Sequence, residues 1–135
     1  MPDDAQELLA AADAVMRRAH APYSGFKVGA ALRGADGAIH VGANVENASY
    51  SQTQCAEASA IGAMIAAGET RITAVAIVAE RVERCPPCGG CRQRLAEFAD
   101  PSTPVCLGRP GDAEPLVTTL GELLPLSFGS AELNR

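Results

Sequence analysis

The sequence predicts an α/β domain in which one mixed sheet is covered by helices on both faces, and three features point there. Helical and strand-like apolar periods alternate along the chain after an opening hairpin. The run Ile72 to Ala79 is almost continuously apolar and rich in β-branched residues, as expected of a strand buried on both sides. Finally, 135 residues that are 47% hydrophobic can bury one core of ordinary size, so residues 1–135 read as a single domain.

Taken in order, Ala5 to Ala19 spaces Leu8, Leu9, Ala12, Val15 and Met16 at a helical period and stops before the turn-forming Ala21-Pro22-Tyr23-Ser24-Gly25. Phe26 to Leu32 and Ile39 to Glu46 are β-leaning runs, and Gly34-Ala35-Asp36-Gly37 between them reads as a hairpin turn. Cys55 to Ala67 is rich in Ala, Ile and Met and ends at Gly68, which predicts a buried helix leading into the strand at Ile72. A further helix is expected from Cys88 to Phe98, after Pro86-Pro87. Val105 to Leu107 and Val117 to Thr119 are the candidate last strands, ahead of a short Leu120 to Leu124 segment. The tail after Gly129 is expected to fray, because termini stay ordered only where something docks them.

Charge and composition exclude several function classes. A formal net charge of −5 disfavours a polynucleotide partner, since grip on phosphates needs Lys and Arg. With no Trp, two Tyr and three Phe, there is little aromatic surface for stacking successive bases. No run approaches the roughly 18 apolar residues of a membrane span, and the acidic start is unlike a signal peptide, so a cytoplasmic protein with a small neutral ligand is expected.

Five cysteines in such a setting are poor disulfide candidates, and their clustering points to a metal or to catalysis. Cys88 and Cys91 stand three apart at a predicted helix start, on one face, so both sulfurs can reach one ion. That pair alone would also suit a redox couple or half of a structural zinc site. Cys55-Ala56-Glu57 adds a third thiol at another helix start, with a carboxylate two residues on and no convincing fourth protein ligand. Three ligands with an open position describe a catalytic Zn²⁺ site, in which Glu57 beside an activated water becomes a proton carrier. Three thiolates on Zn²⁺ leave one net negative charge, which the positive ends of the two helices would offset. Cys85 competes for a place in the set, since Cys85-Pro86-Pro87-Cys88 has the same spacing, but two rigid prolines separate it from the helix. Cys106, in an apolar strand, reads as a small buried hydrophobe. An iron–sulfur cluster would want a fourth cysteine closely grouped with the others. His20 and His40 match no motif, and Asn47-Ala48-Ser49, though it fits the glycosylation pattern, is expected to be a chance match because no secretory signal is expected.

The ligand-x-Glu and Pro-Cys-x-x-Cys elements are the signature of the zinc nucleobase deaminases. The ordered set Tyr23-Ser24-Gly25-Phe26, Val28-Gly29-Ala30, Asn44-Val45-Glu46-Asn47-Ala48-Ser49-Tyr50, Cys55-Ala56-Glu57, Pro87-Cys88-Gly89-Gly90-Cys91-Arg92-Gln93 and Leu123-Leu124-Pro125 before Phe128 resembles the small homotetrameric cytidine deaminases along nearly the whole chain. The resemblance implies a three-layer fold, a mixed five-stranded sheet between helices, and hydrolysis of cytidine and 2'-deoxycytidine in pyrimidine salvage. It implies zinc on Cys55, Cys88 and Cys91, catalysis by Glu57, and sites shared between subunits of a homotetramer. It also assigns Asn44 and Glu46 to the sugar hydroxyls, Phe26 to the face of the base, Phe128 to a neighbouring subunit's site, and the main chain at Ala56 and Pro86 to the base. Asn44 and Glu46 are two apart on a predicted strand and are therefore expected on one face.

One departure stands out: Ala58 occupies the place where many relatives carry an arginine that donates to the zinc thiolates. Either another group, with Arg92 and Ser59 as candidates, offsets the charge, or the activated water is less acidic than in those relatives. A deaminase of a modified cytosine nucleoside such as blasticidin S, or a non-catalytic zinc module, are the alternative readings.

Overall fold

The computed structural model describes residues 2–133. Helix α1, Pro2–Met16, buries Ala5, Leu8, Leu9, Ala12 and Met16, which recur at the helical period and form one stripe. It ends three residues earlier than the composition predicts, because His20 is already bridged to Val45. Strands β1, Val28–Gly34, and β2, Ile39–Ala43, form the expected hairpin, and Asp36 Oδ1 accepts the Ala38 N–H inside its turn. Then follow α2, Ala56–Ala66, β3, Ile72–Ala79, α3, Gly89–Ala96, β4, Pro104–Leu107, β5, Leu116–Thr119, α4, Leu120–Leu123, and a last turn α5, Ser130–Leu133. Of the tail expected to fray, Asn134 and Arg135 lie outside the described residues.

The five strands form one sheet in the order β2-β1-β3-β4-β5. Only the β3–β4 pair is parallel, so the sheet is mixed as predicted. Alternation within the strands divides the core into two layers. Ala31, Ala74, Ala76, Val78 and Cys106 meet α1 on one face. Ala30, Leu32, Val75, Ile77, Val105 and Leu107 meet α2, α3 and α4 on the other. Two glycines let the helices approach: a Cβ at Gly29 would lie 2.1 Å from the Ala12 carbonyl oxygen of α1, and one at Gly42 would lie 2.2 Å from the Ala60 nitrogen of α2.

This topology decides where the site lies. β2 and β3 each run antiparallel to β1 and hence parallel to one another. The first half of α2 lies on the end of β2, since Gly42 abuts Ala56 and Ala60. The C-terminal end of α3 reaches the start of β3, where the Ile72 N–H donates to the Phe98 carbonyl. Both helices therefore start at the carboxyl ends of β2 and β3, the edge at which α/β sheets place their ligands.

Candidate active site

Cys55 and Cys88 are the N-cap residues of α2 and α3, both with extended backbone and neither with a side-chain capping bond. Their sulfurs stand 4.0 Å apart. Cys91 lies in the first turn of α3 and is fully buried, and the ligand atoms of Cys55, Cys88 and Cys91 all fall within 4.8 Å of one another. Tetrahedral Zn²⁺ with Zn–S bonds of ~2.3 Å separates its sulfurs by ~3.8 Å, so the donor set and its spacing fit that ion. Cys85 stands outside the cluster, its thiol turned to the Pro86 carbonyl at 3.6 Å. Cys106 lies on the α1 face of the sheet, buried as a small hydrophobe.

Burial pushes the Cys91 thiol far above its ordinary value, helped by the Glu57 and Cys55 charges. Burial also raises Cys55, against the Cys91 thiol, which favours its charged form. For Cys88 burial is outweighed by the main-chain N–H and thiol of Cys91 and by the Cys55 thiol, so this thiol is held below its ordinary value. Glu57, 4% exposed, has its carboxyl raised above the usual range by burial, although its own main-chain N–H, the Cys91 thiol and the Arg94 charge oppose the shift. A carboxyl raised in this way holds a proton more readily than a free one, as a group that both takes up and releases protons must.

The cluster opens on a pocket of about 220 Å³. Cys55, Cys88 and Glu57 stand on its wall with Phe26, Asn44 and Ala56, so the fold brings six of the predicted site residues together. Val28, Thr53, Gln54, Ile77 and Cys85 complete it with Pro86, and of these Thr53, Gln54 and Ile77 belong to none of the motifs read from the sequence. Asn44 also serves the fold, since its Oδ1 accepts the Val28 N–H at 2.9 Å and its Nδ2 donates to the Phe26 carbonyl at 2.8 Å.

Two predicted residues lie elsewhere. The strand expected to run to Glu46 ends at Ala43, because Val45 leaves the sheet to bridge His20 and Gln54. Asn44 and Glu46 consequently do not share a strand face. Glu46 lines a second cavity with Tyr23, Ser24, Asn47 and Tyr50, which has Thr53 in common with the first. It accepts the Tyr23 and Ser24 N–H groups at 2.9 and 3.0 Å and also the Ser24 hydroxyl, whose hydrogen bond holds the carboxyl below its usual range. Phe128 is 58% exposed and away from the pocket, its carbonyl accepting from Gln93 Nε2 at 2.8 Å.

The structure also corrects the expected neighbour of the thiols. Arg92 donates to the Pro87 carbonyl at 2.9 Å and to the Leu123 carbonyl at 2.7 Å, not to a sulfur. Arg94 Nη1 lies 3.8 Å from Cys91 Sγ. Helical spacing could have found it, since positions i and i+3 face one another whereas i and i+1 do not.

Comparison with known proteins agrees with this geometry. Residues 2–107 match the family described as the cytidine and deoxycytidylate deaminase zinc-binding region. A cytidine deaminase of Halalkalibacterium halodurans is 42% identical over 97% of this chain and 98% of its own. A cytidine deaminase of Mycobacterium tuberculosis is 39% identical over 87% of this chain and 84% of its own. Among solved structures, the cytidine deaminase of Burkholderia pseudomallei superposes with a TM-score of 0.83 at 44% identity, covering 90% of this chain and 97% of that one. The Mycobacterium tuberculosis crystal structure gives 0.81 at 38%, covering 93% and 98%. The matched region takes in both thiol-bearing helix starts and the buried glutamate between them, and the likeness runs nearly end to end: the chain belongs to the zinc-binding cytidine and deoxycytidylate deaminase family.

Proposed function

We propose that the protein hydrolyses cytidine and 2'-deoxycytidine to uridine and 2'-deoxyuridine with release of ammonia, as a cytoplasmic enzyme of pyrimidine salvage. The observation that carries this reading is the buried Glu57 carboxyl beside three convergent thiols, on the wall of a pocket that also offers a phenyl ring and an amide. Cys55, Cys88 and Cys91 would hold Zn²⁺, which when bound supplies a Lewis acid that makes water acidic near neutral pH. Glu57 takes a proton from the water that adds to C4 of the cytosine and passes it to N3. It then carries the remaining water proton to the amino group, so that ammonia leaves as the C4 carbonyl forms.

Phe26 offers its ring to the face of the base, and the Ala56 main chain, at the start of α2, offers a donor to its edge. Asn44 and Glu46 serve the sugar hydroxyls from the two cavities that share Thr53. Asn44 keeps one lone pair and one N–H beyond its main-chain bonds, which suits a hydroxyl that both gives and accepts. Phe128, exposed on a single chain, covers the site of a neighbouring subunit in a homotetramer. Free thiols are what zinc binding requires, and a reducing compartment such as the cytoplasm keeps them so.

Ammonia release from cytidine and from 2'-deoxycytidine tests the reading, with efficient turnover of both expected. Turnover of blasticidin S alone would move the substrate class, and zinc binding without any ammonia release would reduce the site to a structural one. One zinc per chain is expected, kept in Cys85→Ala and lost in Cys88→Ala. Light scattering should return a tetramer, and an active monomer would remove Phe128 from the site.

A further inference from the structure

We infer that Arg94 is a positioning residue for the metal centre: its guanidinium folds back over Gly90 along the first turn of α3 and stabilises the thiolate of Cys91. The inference rests on the proposed zinc site and adds a residue to it. Charge creates the need. Three thiolates around Zn²⁺ leave one negative charge, and the buried Glu57 carboxylate adds a second when ionised. Cys91 is the ligand most in need of help, because it is fully buried and its sulfur lies within 4.8 Å of the two other ligand sulfurs. Burying such a group without a compensating partner is costly.

Geometry supplies the partner. Arg94 stands three residues after Cys91 and therefore on its face of α3. Its Nη1 reaches 3.8 Å from Cys91 Sγ, within range of a hydrogen bond to sulfur. Among the described residues, Arg94 is the basic side chain bonded to a sulfur of the cluster, while Arg92 is spent on two carbonyl groups. Gly90 leaves room for it: a Cβ there would lie 3.2 Å from Arg94 Nη1, and the guanidinium would have to give by a few tenths of an ångström. Arg94 is an exposed residue, yet its guanidinium reaches a fully buried sulfur. A donor to a thiolate draws electron density from the sulfur, so the metal it binds is left more electron-poor and a water there more acidic.

Zinc affinity by competition with a chromogenic chelator, and the sulfur-to-metal charge-transfer band of the cobalt(II)-substituted protein, test this directly on the full chain. Arg94→Met keeps a long unbranched stem and good helix propensity on an exposed position, so it is expected to fold normally by circular dichroism. It should weaken zinc binding by about tenfold and move the cobalt band to lower energy, because the unpaired thiolate becomes a better donor. Arg94→Lys should recover most of both, since it restores the charge without the planar fork. Unchanged affinity and an unmoved band in Arg94→Met would overturn the inference, and so would an equal loss in Arg94→Lys, which would show that charge is not what Cys91 needs. A wild-type chain that binds no zinc, or a Cys88→Ala variant that binds it fully, would instead overturn the site assignment beneath it.

Discussion

Cys91 and Cys106 are both fully buried thiols, both pushed above their ordinary pKa first of all by desolvation, and they sit on opposite faces of one sheet. Cys106 faces α1, among Ala31, Ala74, Ala76 and Val78, and behaves there as a small apolar side chain. Cys91 sits at a helix start where two other sulfurs and a buried carboxyl converge. Burial and a raised pKa therefore do not by themselves mark a functional cysteine. What separates the two is topology: α1 lays the middle of its apolar stripe on the sheet, whereas α2 and α3 bring their N-terminal ends to the same edge. The α1 layer supplies stability and the α2–α3 layer supplies chemistry as well, and the two should respond differently to substitution.

The sharpest break should come from Glu57→Gln. The amide keeps the shape and the helix position and cannot carry the proton, so kcat should fall by about 10²–10⁴-fold. Zinc content and the far-ultraviolet circular dichroism should stay at wild-type values. Near-normal turnover would mean that the buried carboxyl of the α2–α3 face is a structural residue like the buried apolar side chains of the α1 face. On that α1 face, Leu8→Ala removes a side chain with no exposed area and should cost about 2–5 kcal/mol of stability in urea unfolding. Zinc stoichiometry and KM of the folded fraction should be unchanged. A rise in KM would show that packing under α1 is transmitted through the sheet to the pocket.

Much of this division was legible in the sequence. The apolar period of α1, the two-sided run of β3 and the cysteine spacing at two helix starts each rest on local rules, and the structure repeats them with ends displaced by a few residues. Asn44 and Glu46 were harder to place. A period of two reads as a strand until something ends it, and here Val45 leaves the sheet for His20 and Gln54, which are distant in sequence. Thr53, Gln54 and Ile77 reach the pocket only through such non-local pairing, so no motif announces them. Arg94 could have been read from helix geometry, since one turn past Cys91 is where a neighbour must lie. Arg92, adjacent in sequence, points elsewhere and staples the loop before the thiols to the end of α4.

A smaller effect sharpens the contrast between stability and chemistry at one residue. Burial raises the Glu57 carboxyl in the folded zinc-free protein, so ionising it there is unfavourable. Below its ordinary value of 4.5 the group is protonated in the folded and unfolded chains alike and nothing is lost. As pH rises past that value the unfolded chain ionises first, and the wild-type fold loses stability until the pH has passed the raised folded-state pKa. Gln does not titrate and suffers no such loss. Zinc-free Glu57→Gln should therefore melt a few degrees above zinc-free wild type at neutral pH, with the gap closing below about pH 4.5. The substitution that costs the most activity would then be one that stabilises the empty fold, as expected where a buried carboxyl is kept for its chemistry and not for packing. A gap that persisted unchanged into acid would assign the gain to packing of the amide and remove the cost of charge from the account.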